Sequence, residues 1–278
     1  MVKFGCCVAI GSFVPQMDEQ EKDVLEGFKN AFSILEENGF DFAELTIGSI
    51  ANLTSAEFKE VVKLVQESSI PVPVFNCFIP GDIPVTGPNV SYNKIEKYLH
   101  QVMKRVKRIG GKCIVFGSGS ARKVPEGFPG EKAQKQIEKF LDICNKKGRE
   151  FEIKVAIEPL NKKETNIINT VEEALNLAKK VDLPQIKVLA DSYHMYEENE
   201  SFDILQDAEK KLIHVHIADK DRKFPGKITD EGVDFKEFFK MLKSINYNEK
   251  ISLECNFADL EEESKQSFAY ITKVWQEA

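Results

Sequence analysis

Glu158, Asp191, His216 and Glu254 each stand at or just beyond the C-terminal end of a short apolar run, within KVAIEPLN, IKVLADSYH, LIHVHIADKDR and ISLECNF respectively. Three carboxylates and one imidazole brought together make a site for one divalent metal ion, and two of the carboxylates can also serve as acid and base. Oxygen and nitrogen donors without thiolate suit Mn²⁺ first, then Mg²⁺ or Co²⁺, with Zn²⁺ a further option. Each residue also has a bland reading. Glu158, ahead of the strand-ending Pro159, could be a solvated loop glutamate, Asp191 a helix N-cap, and His216 a satisfied core histidine. Four such residues at equivalent heights are harder to explain separately than together.

The elements that must position them follow from hydrophobic periodicity. Strand patterns cover Lys3–Ile10, Phe42–Ile47, Val72–Cys77, Cys113–Gly117, Lys154–Glu158, Lys187–Asp191, Ile213–Ile217 and Ile251–Cys255. Helical patterns alternate with them at Asp18–Asn38, Ser55–Glu67, Tyr92–Ile109, Glu131–Lys147, Val171–Lys180, Asp203–Lys210, Phe235–Ile245 and Asp259–Gln276. Thr54-Ser55-Ala56-Glu57 has the form of a capping box, Asn169-Thr170 precedes Val171, and Gly39, Gly110 and Gly148 follow expected helix ends. Eight strands alternating with eight helices predict an α/β chain folded as one (β/α)8 TIM barrel over residues 1–278. Its catalytic rim would lie at the C-terminal strand ends, with long loops at Pro80–Ser91 and Ser118–Gly130 shaping the substrate site.

In HVHIADKDR, His214 and His216 lie two apart on a strand and face the same way. His216 is nearer the rim and is the ligand candidate, with His214 below it in a packing or supporting role. The FGSGSARK turn, Phe116 to Lys123, is expected to be a tight βα turn with Arg122 solvated or paired to a rim acid. The alternative is an anion or ligand-oxygen contact by Arg122 beside the Gly117–Gly119 loop. The basic Lys104–Arg108 stretch is read as a solvated helix face.

Composition narrows the partners. A formal charge of −7 argues against a nucleic-acid backbone, and no run approaches the roughly 18 apolar residues of a membrane span. The 6 cysteines show no CxxC spacing, and Cys6, Cys77, Cys113 and Cys255 fall in apolar strand-like runs, which suits reduced thiols in the cytoplasm. The short apolar N-terminus lacks the exit of a signal peptide and is better used as a first strand.

EPLNKKE, DSYHM, HVHIADKDR and ECN resemble, in order and spacing, the motifs of sugar isomerases and epimerases of the xylose-isomerase-like TIM-barrel superfamily, in particular the ketose 3-epimerases. The resemblance runs over essentially the whole barrel and is specific in its second half. It implies that Glu158, Asp191, His216 and Glu254 bind one divalent metal, that Glu164, His194 and Arg222 hold sugar oxygens near the carbonyl, and that Glu158 and Glu254 are the proton-transfer pair. The implied reaction is epimerisation of a ketose at C3 through a metal-stabilised enediolate. The substrate would be a small sugar or sugar phosphate, and the assembly a homodimer or tetramer. First-half loops diverge from the family, so no residue contacting the distal end of the sugar carries over.

Three rival readings stay open. A dehydratase or isomerase of an inositol-derived ketone would use the same metal and glutamates. A phosphodiesterase resembling the DNA-repair endonucleases of the superfamily needs several more histidines than the 4 present. A non-catalytic sugar-binding barrel has no need of two bases.

Overall fold

Parallel strands β1 (Lys3–Val8), β2 (Phe42–Thr46), β3 (Val74–Asn76), β4 (Cys113–Phe116), β5 (Lys154–Ile157), β6 (Ile186–Asp191), β7 (Leu212–Ile217) and β8 (Lys250–Leu253) close into a barrel in chain order. β1 completes the ring against β8 through the pairs Lys3 with Lys250 and Cys6 with Leu253. This computed structural model describes residues 2–8, 24–228 and 231–278. The outer layer is built by α1 (Val24–Glu37), α3 (Ser55–Glu67), α4 (Tyr92–Ile109), α6 (Gly130–Phe151), α7 (Val171–Val181), α10 (Phe235–Ser244) and α11 (Leu260–Glu277). Short helices α2 (Gly48–Ala51), α5 (Gly119–Arg122), α8 (Ser192–Glu197) and α9 (Ile204–Ala208) complete the βα and αβ connections. The architecture is a single (β/α)8 barrel, as the alternation predicts.

Side chains alternate across each strand, so residues two apart share a face, and this stacks the barrel interior in layers. Phe42, Val74, Cys113, Val115, Ala156 and Leu189 form an apolar cluster inside the barrel. Two positions further along the strands of this cluster come Glu44, Asn76, Gly117, Glu158 and Asp191. The same step takes Ser252 to Glu254. The filler layer therefore sets the height at which the polar layer begins.

Several boundaries differ from the sequence reading, each for a local reason. β3 is shorter than Val72–Cys77 because Pro73 has no N–H for the ladder and Cys77 turns to φ 51. Cys77 is consequently exposed, not buried in a strand. α6 runs through Gly148, which is buried in the helix, and Glu152 at φ 58 provides the left-handed stop expected of the glycine. Gly39 and Gly110 do adopt positive φ, 85° and 111°. The Asp203–Lys210 helix contracts to the short α9. Thr54 and Glu57 form the expected capping box, and Thr170 caps α7. Arg105 is not part of a solvated face: its guanidinium donates to the Ile50 and Leu53 carbonyls and lies 4.8 Å from the Phe58 ring centroid. The expected strand residues Ala9 and Ile10 and helix residues 18–23 lie outside the described residues. Among the described residues no helix is long and apolar enough to cross a membrane.

Candidate metal and active site

β5, β6, β7 and β8 bring Glu158, Asp191, His216 and Glu254 together at one end of the barrel. One ligand atom from each lies within 4.8 Å of all the others. The His216 ring directs Nδ1 at Glu158 Oε1, 2.9 Å away, and at Glu254 Oε2, 3.4 Å away. Asp191 divides its two oxygens between both roles read from the sequence. Oδ1 caps α8 by accepting from the Tyr193 and His194 amides at 2.7 and 3.3 Å, while buried Oδ2 has no hydrogen-bond partner. A buried carboxylate oxygen without a partner is costly unless a cation completes it. Gly117 completes the arrangement, since a Cβ there would stand 2.1 Å from Glu158 Oε2. The three carboxylates and one imidazole could hold one Mn²⁺, Mg²⁺, Co²⁺ or Zn²⁺ ion.

The charges in this cluster are strongly interdependent. Burial, reinforced by the charge of Glu254, pushes the Glu158 carboxyl above its ordinary range. Burial also acts to raise Glu254, but the charges of His216 and Arg222 outweigh it and hold that carboxyl well below the range. Burial would lower His216, yet Glu254 and Glu44 leave it far more basic than an ordinary imidazole.

Beneath this layer lies a residue the sequence reading missed. Glu44, on β2, is fully buried and accepts from three side chains on the far wall. His216 Nε2 meets its Oε1 at 2.9 Å, while His214 Nε2 and Ser252 Oγ both meet its Oε2 at 2.7 Å. Burial opposes ionisation of Glu44, but His216 and His214 prevail and hold its carboxyl far below the usual range. His214, by contrast, is lowered by burial more than Glu44 raises it. Asn76, at the end of β3, donates from Nδ2 to Glu254 Oε1 at 3.0 Å. A sequence signal for both was present: each is a polar residue on the inward parity of a mostly apolar strand.

Arg222, His194 and Glu164 meet beside the cluster. Arg222 donates to Glu254 Oε2 at 3.2 Å and to Glu164 Oε1 at 3.0 Å, and stacks 4.8 Å from the Tyr193 ring centroid. The left-handed backbone of Asp221 and Arg222, φ 59 and 53, aims it there. Such conformations cost of order 1–3 kcal/mol each and persist where the surroundings enforce them. His194 Nδ1 accepts from the Asn161 amide at 3.0 Å, which assigns the ring proton to Nε2. That Nε2 lies 3.0 Å from Arg222 Nη2, so two donors face one another, an arrangement that a shared oxygen acceptor would satisfy.

Arg122 matches neither sequence expectation. Its fully buried guanidinium donates to the backbone carbonyls of Phe116 at 2.9 Å and Ile168 at 3.2 Å, tying the end of β4 to the loop after β5. Burial lowers its pKa to about 10. The tight turn is real, but its arginine is neither solvated nor paired to a rim acid.

Glu158, Glu164, Arg222 and Glu254 line a cavity of about 730 Å³, within the range of small-molecule sites. Its other walls are mostly neutral: Thr46, Asn76, Gly81, Ser118, Ser120 and Phe257 among them.

The chain is similar to known sugar epimerases in sequence and fold. The chain is 28% identical over 231 residues to 3-dehydro-D-guloside 4-epimerase of Escherichia coli (strain K12), covering 80% of this chain and 84% of that protein. It is 34% identical over 112 residues to a probable ketose 3-epimerase of Synechocystis sp., covering 40% of this chain and 38% of the relative. The crystal structure of D-psicose 3-epimerase with D-tagatose from Clostridium cellulolyticum H10 superposes with a TM-score of 0.82 at 19% identity, covering 99% of both chains, a likeness of fold. The xylose isomerase-like TIM barrel family matches residues 32–274, and the chain belongs to it.

Proposed function

We propose that the protein is a divalent-metal-dependent sugar epimerase that inverts a carbon next to a ketone, with Glu158 and Glu254 as its proton-transfer pair. The observation that carries this reading is the convergence of two glutamates on His216 Nδ1 from strands separated by β6 and β7, both lining one cavity. A bound divalent ion would polarise the ketone and its neighbouring hydroxyl and stabilise the developing enediolate charge. The chain supplies the rest. One glutamate removes the α-proton, and the other returns a proton to the opposite face, which inverts the centre; a single base would favour 1,2-isomerisation instead. Arg222, on the cavity wall, and the buried His194 Nε2–H beside it would donate to a substrate oxygen, and Glu164 would accept from a hydroxyl. The first substrate class is a free ketose inverted at C3. A second reading is inversion at C4 of a 3-keto-glycoside, favoured by the 84% coverage of the 4-epimerase relative. Both reactions ask the same chemistry of the site.

A phosphodiesterase site with several metals needs more histidines, and the fourth one, His100, sits away from the barrel rim on α4 against Glu150 and Phe151. The test is proton NMR in D₂O of D-psicose or D-tagatose with the Mn²⁺-loaded protein, quenched and freed of metal. Deuterium at C3 together with the C3 epimer supports the reading, whereas transfer between C1 and C2 without inversion replaces it with an isomerase.

A further inference from the structure

We infer that Glu44 is a positioning residue for the metal, fixing the proton of His216 on Nε2 so that Nδ1 is left to ligate. The inference rests on the metal-site reading above and adds a residue and a role to it. An imidazole can ligate through either nitrogen, and the hydrogen bond made by the other one decides which. In this barrel the decision comes from β2, on the wall that supplies none of the four ligands. Glu44 Oε1 lies 2.9 Å from His216 Nε2, and the opposite ring nitrogen faces Glu158 and Glu254.

The carboxylate is itself held from turning. Its Oε2 accepts from His214 Nε2 and Ser252 Oγ, each at 2.7 Å, so one oxygen is pinned while the other serves His216. A neutral amide replaces it only in the orientation that turns its oxygen to His216. One end of the glutamine head would present N–H groups, and facing His216 Nε2 that end would favour the tautomer with the proton on Nδ1, where the ion should bind. His214 and Ser252 thereby gain a function that their distance from the cavity hides: they fix Glu44, which fixes His216.

The experiment uses the full chain, metal-stripped and reloaded. Mn²⁺ affinity is read from the EPR signal of free ion, and the His216 proton position from long-range ¹H–¹⁵N correlations in the Zn²⁺-loaded protein. Wild type is expected to carry the proton on Nε2. Glu44→Gln should weaken Mn²⁺ binding roughly 10- to 100-fold, the scale for losing a partner that orients a ligand, and disturb the Nε2–H signal. Glu44→Asp keeps the charge but withdraws the carboxylate by one methylene. It gives the same expectation should the glutamine variant not fold. A purely structural role would lower thermal stability without moving the proton. Wild-type loading with both folded variants binding Mn²⁺ as wild type, and the His216 proton unmoved, would overturn this assignment alone. A wild-type protein that takes up no Mn²⁺ would overturn the metal-site reading and this assignment with it.

Discussion

Strands β5 to β8 end in Glu158, Asp191, His216 with Ile217, and Glu254, whereas the corresponding ends of β1 to β4 present Cys7, Thr46, Asn76 and Gly117, none of them charged. The difference separates two jobs. The charged half concentrates groups that repel one another, hold protons at shifted affinities and could share a cation. Among the described residues, the neutral half offers hydroxyls, an amide, thiols and bare backbone, which suit sugar hydroxyls. Glu44 is the exception: it belongs to the neutral half but acts one layer deeper, on the charged half.

The largest effect expected to test this division is at the glutamates. Glu158→Gln or Glu254→Gln keeps an oxygen donor and removes a base, so steady-state epimerisation should fall by at least roughly 10³-fold. Turnover within tenfold of wild type in either variant would dissolve the pairing. His216→Ala should come next. Elemental analysis of protein purified without chelator should show one metal equivalent in wild type and a sharp loss in the variant; unchanged content would move the site elsewhere.

Arg222→Ala and His194→Ala should each lower kcat/KM by roughly 10²-fold with metal content intact, the scale for losing one positioned donor. Joint loss of metal and activity would place them in the ligand cluster instead. Gly117→Ala sharpens the comparison from the neutral side. Its Cβ would stand 2.1 Å from Glu158 Oε2, so this uncharged position should behave like a ligand position, weakening Mn²⁺ binding roughly 10-fold or more. By contrast Ser120→Ala, a cavity-wall change with no link to the ligands, should raise KM less than roughly 10-fold at nearly constant kcat. Equal effects at Gly117 and Ser120 would erase the distinction.

How much of this was legible depended on the range of the interactions. Glu158, Asp191, His216 and Glu254 could be read because each ends its own apolar strand, and strand ends share a rim. Glu44 showed only as a polar residue at an inward strand position; its role could not be read, because its partners His214, His216 and Ser252 lie 170, 172 and 208 residues away and only barrel closure brings them near. Arg122 was misread for the same reason: one of its carbonyl partners, Ile168, is 46 residues distant. Its burial gives a stability prediction with no catalytic content. Arg122→Ala removes the second hydrogen bond at two buried carbonyls, which keep the Glu158 and Leu160 amides, and empties a buried side-chain volume, so it should lower unfolding free energy by about 1 to 3 kcal/mol. A denaturant titration with unchanged midpoint would contradict that role.

The central claim is that Glu158 and Glu254 address opposite faces of one carbon, and solvent-deuterium exchange by the single glutamine variants tests it most directly. Each metal-loaded variant is incubated in D₂O with each C3 epimer of a ketose that wild type interconverts, and deuterium at C3 is followed by mass spectrometry. The account predicts that Glu158→Gln exchanges one epimer and Glu254→Gln the other, each through its remaining carboxylate. If both variants exchange the same epimer, one base suffices and the two-face arrangement is wrong.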